Sequence, residues 1–164
     1  MIPELGQLAL SLALVVALAQ GILPLAGAAR GDAGWMAVAR PAAHAQALLV
    51  AFAFGCLVQS FLANDFSVQN VALNSNSALP AHYRVAAAWG SHEGSLLLWC
   101  LMLGVWMSAV GLFSRHLPEE MAARVLGVLG LASAGFLAFL LFTSNPFERL
   151  FPAPADGRDL NPLL

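Results

Sequence analysis

Lysine is absent from this 164-residue chain, and charge of either sign is scarce: 10% of residues are charged against 60% hydrophobic. A soluble domain carries about a quarter charged residues. The mean hydropathy is +0.77. The seven basic residues are all arginine, spread along the sequence, and the formal net charge is −2. That excludes the clustered positive surface a nucleic-acid partner requires. Cysteine is nearly absent too. Cys56 and Cys100 lie in separate apolar runs with no CxxC or CxxCH between them, so neither a zinc site nor covalently attached haem is indicated. Both read as small apolar helix residues.

What is abundant is long apolar sequence. Four runs, at about residues 6–28, 45–63, 95–113 and 122–142, each approach the roughly 20 residues that cross a hydrocarbon core. No acidic or basic side chain lies in their interiors, and backbone in lipid must satisfy its own hydrogen bonds, so the runs are predicted to be helices. The expected fold is an all-α integral membrane protein of four transmembrane helices. Pro24 is expected to kink the first helix or to end it. Met1-Ile2-Pro3-Glu4 lacks the positive start of a secretory signal, so the first run reads as a retained span.

Residues 1–143 form the predicted four-span module, and residues 144–164, with Pro146, Pro152, Pro154 and Pro162, an irregular extramembrane tail. Residues 64–94 are too long for a simple connector. Pro80 opens a stretch through His82, Tyr83, Arg84 and Trp89 that reads as a short interfacial helix. Four spans put both termini on one side. Arg30, Arg40, Arg115 and Arg124 flank the other, so the positive-inside rule places the N-terminus, second loop and tail outside the cytoplasm. Gly127, Gly130, Ser133 and Ala134 give the fourth span a small-residue face for close packing.

One motif carries chemistry. Trp89-Gly90-Ser91-His92-Glu93-Gly94-Ser95 places an imidazole and a carboxylate where a polar loop enters the third span. With a helix starting near Ser91, His92, Leu96, Trp99, Leu103 and Trp106 fall on one stripe. Such a face suits a flat, conjugated, hydrophobic ligand such as haem or a quinone, with Arg84 placed to pair a propionate. The candidate site is therefore His92, Trp89, Glu93, Trp99 and Arg84, with no catalytic residue and no metal ligand. The plain alternative makes Trp89 and Trp99 interfacial anchors, and His92 with Glu93 a polar pair capping the helix. HExxH chemistry is excluded because Leu96 stands where the second histidine belongs. His44, His82 and His116 read as solvated loop or span-edge residues. No span interior carries a charge or a paired polar residue that would mark a transport pathway.

Several longer motifs resemble the N-terminal part of the CcmF/CycK family of cytochrome c-type biogenesis proteins, the cytochrome c haem lyase subunit. They are Ile2-Pro3-Glu4-Leu5-Gly6, Asn64-Asp65-Phe66-Ser67-Val68, Asn74-Ser75-Asn76-Ser77-Ala78-Leu79-Pro80, the Trp89 motif, Thr143-Ser144-Asn145-Pro146-Phe147-Glu148-Arg149 and the final Asp156-Gly157-Arg158-Asp159-Leu160-Asn161-Pro162-Leu163-Leu164. The second-loop motif also resembles the wider haem-handling family that includes CcmC and CcsA. The resemblance implies a multi-pass protein of the bacterial inner membrane that takes haem from the chaperone CcmE. It implies work with CcmH and CcmI, and joining of haem to the CxxCH thiols of apocytochrome c. The family's tryptophan-rich domain and axial histidines lie beyond the equivalent of Leu164, so the chain is expected to be truncated and no catalytic residue carries over. A second expectation is a structural scaffold of the maturation complex, without haem contact of its own.

Overall fold

The computed structural model describes residues 1–159; of the closing motif, Leu160, Asn161, Pro162, Leu163 and Leu164 lie outside the described residues. Seven helices follow in order: α1 Ile2–Arg30, α2 Ala33–Met36, α3 Ala39–Leu62, α4 Gln69–Asn74, α5 Ala81–Gly90, α6 His92–Phe113 and α7 Glu119–Phe142. Among the described residues there is no β-strand, only one isolated antiparallel bridge between Val68 and Arg149. Helices α1, α3, α6 and α7 are long and apolar enough to cross a membrane. The long second loop carries α5, as expected, and also the shorter α4.

The long helices outrun their apolar cores. Helix α3 starts at Ala39, several residues before the apolar run. Pro41 lies in its first turn, where no intrahelical N–H partner is needed. Arg40 donates from Nη2 to the Ser114 carbonyl at the end of α6 (3.3 Å), a cation set at a helix C-terminus. Helix α7 opens after Pro118 with Glu119 and Glu120 in its first turn, and Glu120 pairs with Arg124 one turn on (2.6 Å). Pro24 does not end α1, which runs on to Arg30 with the proline ring buried.

The four helices form a ring in which α1 packs closely on α3 and α7, α6 packs on α3, and α6 and α7 meet less closely. The small-residue face of α7 is spent on α1. A Cβ on Gly130 would come within 3.0 Å of the Gly21 backbone nitrogen, and one on Gly127 within 2.8 Å of Leu25. Side chains there would force the helices apart, so these glycines set the approach.

Polar pairing inside the bundle corrects the expectation that the spans lack it. Gln46 of α3 and Ser133 of α7 are fully buried, and Gln46 Nε2 donates to Ser133 Oγ. Gln20 of α1, also fully buried, donates from Nε2 to the Leu126 carbonyl (2.9 Å). Each glutamine is neutral and shorter than a span, so the surrounding apolar run hides it from a composition reading. Ser133→Ala removes the acceptor and leaves the Gln46 amide facing hydrocarbon. It should cost about 1 kcal/mol, while the double change Gln46→Leu with Ser133→Ala should recover most of that loss. Unfolding of both variants in mixed micelles checks the pair.

The N-terminus, the second loop and the described part of the tail gather at one end of the bundle. Arg149 donates to Glu4 from Nε (3.1 Å) and to Asp65 from Nη1 (3.3 Å), and it also meets Ser67. Main-chain bonds run from Gln69 N to the Glu148 carbonyl and from Leu150 N to the Ser67 carbonyl, both 2.8 Å. Phe147 is 5% exposed and seated against Gly6, where any side chain would overlap its ring. The described part of the tail thus lies folded on the second loop. Farther along, Asp156 accepts from Ser77 Oγ (2.7 Å) and Ser77 N (2.9 Å).

Those bonds, with Ser77 Oγ first and the Ser77 and Gly157 amides after it, hold the Asp156 carboxyl below its ordinary range. A depressed folded value means the tie is present above the unfolded aspartate range and is lost as pH falls through the folded value. The protection of the Ser77 and Gly157 amides, taken relative to the intrinsic exchange rate at each pH, should therefore fall in acid and stay constant near neutrality.

Candidate functional site

The Trp89 motif folds as a tight corner between α5 and α6. Ser91, at the junction, caps α6 by accepting from Gly94 N (3.0 Å). Ser95 Oγ reaches back to the Trp89 carbonyl (2.7 Å), occupying an acceptor at the end of α5. Gly94 lies so close to α5 that a Cβ would overlap the Ala88 carbonyl oxygen. Glu93 sits in the first turn of α6, where the helix dipole favours a carboxylate. The two serines and Gly94 thus fix the direction in which α6 starts, and with it the azimuth of His92.

The His92 partner comes from the far end of α7. Its Nδ1 lies 2.8 Å from Ser144 Oγ, and its ring meets Phe139 edge-on at 6.3 Å between centroids. The pairing with Glu93 that the plain alternative offered is not made, because consecutive helix residues diverge by about 100°. Ser91, not His92, caps the helix. Where Nδ1–H donates to Ser144, Nε2 keeps its lone pair; the second nitrogen's chemistry is set by the first one's hydrogen bond.

His92 and Leu96 form one wall of an apolar groove of about 500 Å³, with Ala132, Gly135, Phe136 and Phe139 of α7 completing it. The groove exists because α6 and α7 meet less closely than their neighbours do. His92 and Leu96 share it as the helical spacing predicts. The indoles do not: Trp99 and Trp106 are each 68% exposed on the outer surface of α6, and neither lines it. Trp89 is 38% exposed beside the corner.

Arg84 and Glu93 are placed elsewhere. Arg84 donates to the carbonyls of Leu79 (2.8 Å), Ser77 (3.2 Å) and Leu62 (3.3 Å), so three of its five N–H groups clamp the second loop to the end of α3. Glu93 faces a separate small polar cavity shared with α4 and the tail. His44, read as a span-edge residue, lies within α3 and lines a groove against α6, its Cε1 3.5 Å from where a Cβ on Gly111 would stand. Ser144 and Phe139 are the functional neighbours the sequence reading missed. Only the Thr143-Ser144-Asn145 motif after the last span signalled them, and the bundle must close before it meets His92.

Comparison with known proteins identifies this arrangement. The chain is 65% identical over its whole length to the cytochrome c-type biogenesis protein CcmF of Pseudomonas aeruginosa and 54% identical to CcmF of Escherichia coli. It is 51% identical to CycK of Rhizobium meliloti. The chain corresponds to the N-terminal part of CcmF/CycK family proteins. It spans 24–26% of the length of these relatives. No protein-family profile matches it. A solved cytochrome c haem lyase CcmF superposes with a TM-score of 0.85 at 30% identity, over 90% of this chain and 25% of that one. The CcmF backbone course is therefore shared over nine-tenths of this chain.

Proposed function

We propose that this chain acts in cytochrome c maturation as the N-terminal module of a CcmF-type membrane haem lyase. The observation that carries the reading is its 65% identity over the whole chain to P. aeruginosa CcmF. In this reading the protein lies in the bacterial inner membrane. The complete lyase takes haem from the chaperone CcmE, works with CcmH and CcmI, and attaches haem to the CxxCH thiols of apocytochrome c. The module supplies position and shelter. Its groove offers an apolar wall, an aromatic edge at Phe139 and an imidazole whose ring is held by Ser144. His92 serves there as a polar contact to haem, with Trp89 and Trp99 as outer neighbours.

The scaffold reading has its own support, since Arg149, Arg84 and the α5–α6 corner all serve to hold loops in place. Absorption separates the two. With this chain grafted in place of the N-terminal quarter of E. coli CcmF, His92→Ala should lower the haem absorbance per protein, and His92→Gln should restore part of it. An unchanged spectrum in both variants leaves the scaffold alone. Orientation is tested independently: reporters fused after Arg115 should read cytoplasm and those after Arg149 periplasm. The reverse pattern overturns the proposed topology.

A further inference from the structure

At the end of the bundle where α6 finishes and α3 begins, polar groups stand above an apolar groove. The groove, about 460 Å³, runs between the two helices past Leu48, Ala51, Leu101 and Val105, with His44 toward the start of α3. Arg40 lies one turn before His44 on the same side of that helix. The two come together at Gly111 of α6, where a Cβ would stand 3.6 Å from His44 Nε2 and 3.9 Å from the Arg40 Cβ. This side of α3 thus carries a guanidinium, then an imidazole, then apolar side chains only.

Two buried groups at the polar end lack partners. Arg40 gives Nη2 to the Ser114 carbonyl (3.3 Å), but its Nε is buried with no hydrogen-bond partner. Ser114 is 8% exposed, and its Oγ is orphaned in the same way. Arg115 follows, exposed, and among the described residues neither arginine makes an ion pair. Of the acids at this end, Asp32 caps α2 and Glu120 pairs with Arg124. Glu119 is exposed at the start of α7, and no carboxylate lines the groove.

We propose that this is a binding site for an anionic glycerophospholipid, its phosphate at Arg40 and Ser114 and one acyl chain in the groove. Phosphate oxygens accept from both orphaned groups, and the guanidinium fork suits them. Arg115 adds a second positive charge for the headgroup. Helices α3 and α6 are both long and apolar enough to cross a membrane, so the groove between them meets hydrocarbon. Basic pockets between spans are a recurring way of holding anionic headgroups. A second copy of the chain fits less well: a packed helix has its backbone groups already paired and brings no acceptor to the Arg40 Nε.

Native mass spectrometry of the purified chain in neutral detergent, titrated with dioleoyl phosphatidylglycerol or dioleoyl phosphatidylcholine, tests the site. One phosphatidylglycerol should bind per chain, at least about tenfold more tightly than phosphatidylcholine. Glycerol phosphate, which has the phosphate without the acyl chains, should not displace it at matched concentration. Arg40→Gln should weaken binding about tenfold, as for loss of a charged hydrogen-bond donor, and Arg40→Lys less. Ala51→Phe, at an exposed position of the groove, should weaken binding with no change of charge. Arg124→Gln, outside the groove, should leave it unchanged. Equal binding of the two lipids by the unmodified chain overturns the site whether or not the variants fold. So does full-strength binding by both Arg40→Gln and Ala51→Phe, displacement by glycerol phosphate, or a chain dimer that excludes lipid. Loss of the binding in the graft, where the rest of CcmF is present, overturns it too.

Discussion

Phe147→Ala should be among the most damaging single substitutions in this chain, lowering stability by about 3 kcal/mol, the usual cost of truncating a buried phenylalanine. Among the described residues of the tail, Phe147 is the one large apolar side chain that is buried, and it sits on Gly6 at the start of α1. Removing it leaves the tail held by partly exposed ion pairs at Arg149, whose side chain is 37% exposed. Pairs of that kind contribute roughly 0–1 kcal/mol each. The effect should reach the site as well, because Ser144, three residues earlier, orients His92. Unfolding in mixed micelles checks the energy, and proteolysis within residues 143–159 checks the release. A tail as protected in Phe147→Ala as in the parent would show that the polar contacts suffice.

Gly94→Ala is the second large effect. The added methyl overlaps the Ala88 carbonyl oxygen, and that neighbour is backbone within α5, so it cannot swing aside as a flexible side chain would. The corner must open, at a cost of about 1–3 kcal/mol as for other overpacked sites. Opening it also breaks the Ser95 to Trp89 bond and turns His92 away from Ser144. The variant is therefore predicted to lose haem absorbance in the graft in proportion to its loss of corner geometry. Gly135→Ala is the control, since nothing lies within 4 Å of a Cβ at that position; it should leave stability nearly unchanged.

The four spans were legible in the sequence because uninterrupted apolar runs have few other uses. Their ends were less so. Ala39–His44 extends α3 with an arginine and a proline that no hydropathy pattern would include, and it is helical because Arg40 and Ala43 pack on α6 and α7. Helical spacing correctly put His92 and Leu96 on one face of α6. It could not show that Trp99 and Trp106, on the same predicted stripe, stay exposed and outside the groove. The partners His92–Ser144, Gln46–Ser133 and Arg149–Glu4 are far apart in the chain. Each depends on how the ring of helices closes, and no local pattern encodes that. The motifs themselves were the better guide: those at residues 2–6, 64–68, 89–95 and 143–149 all gather at one end of the bundle.

The proposed role is that of a working N-terminal module of the cytochrome c maturation machinery. The most direct measurement is haem staining of c-type cytochromes in E. coli whose own CcmF is replaced by the graft carrying this chain as its N-terminal quarter. The account predicts staining close to that of cells with the unmodified protein. A graft present in the membrane in normal amount, with no covalently bound haem on any cytochrome, would contradict it.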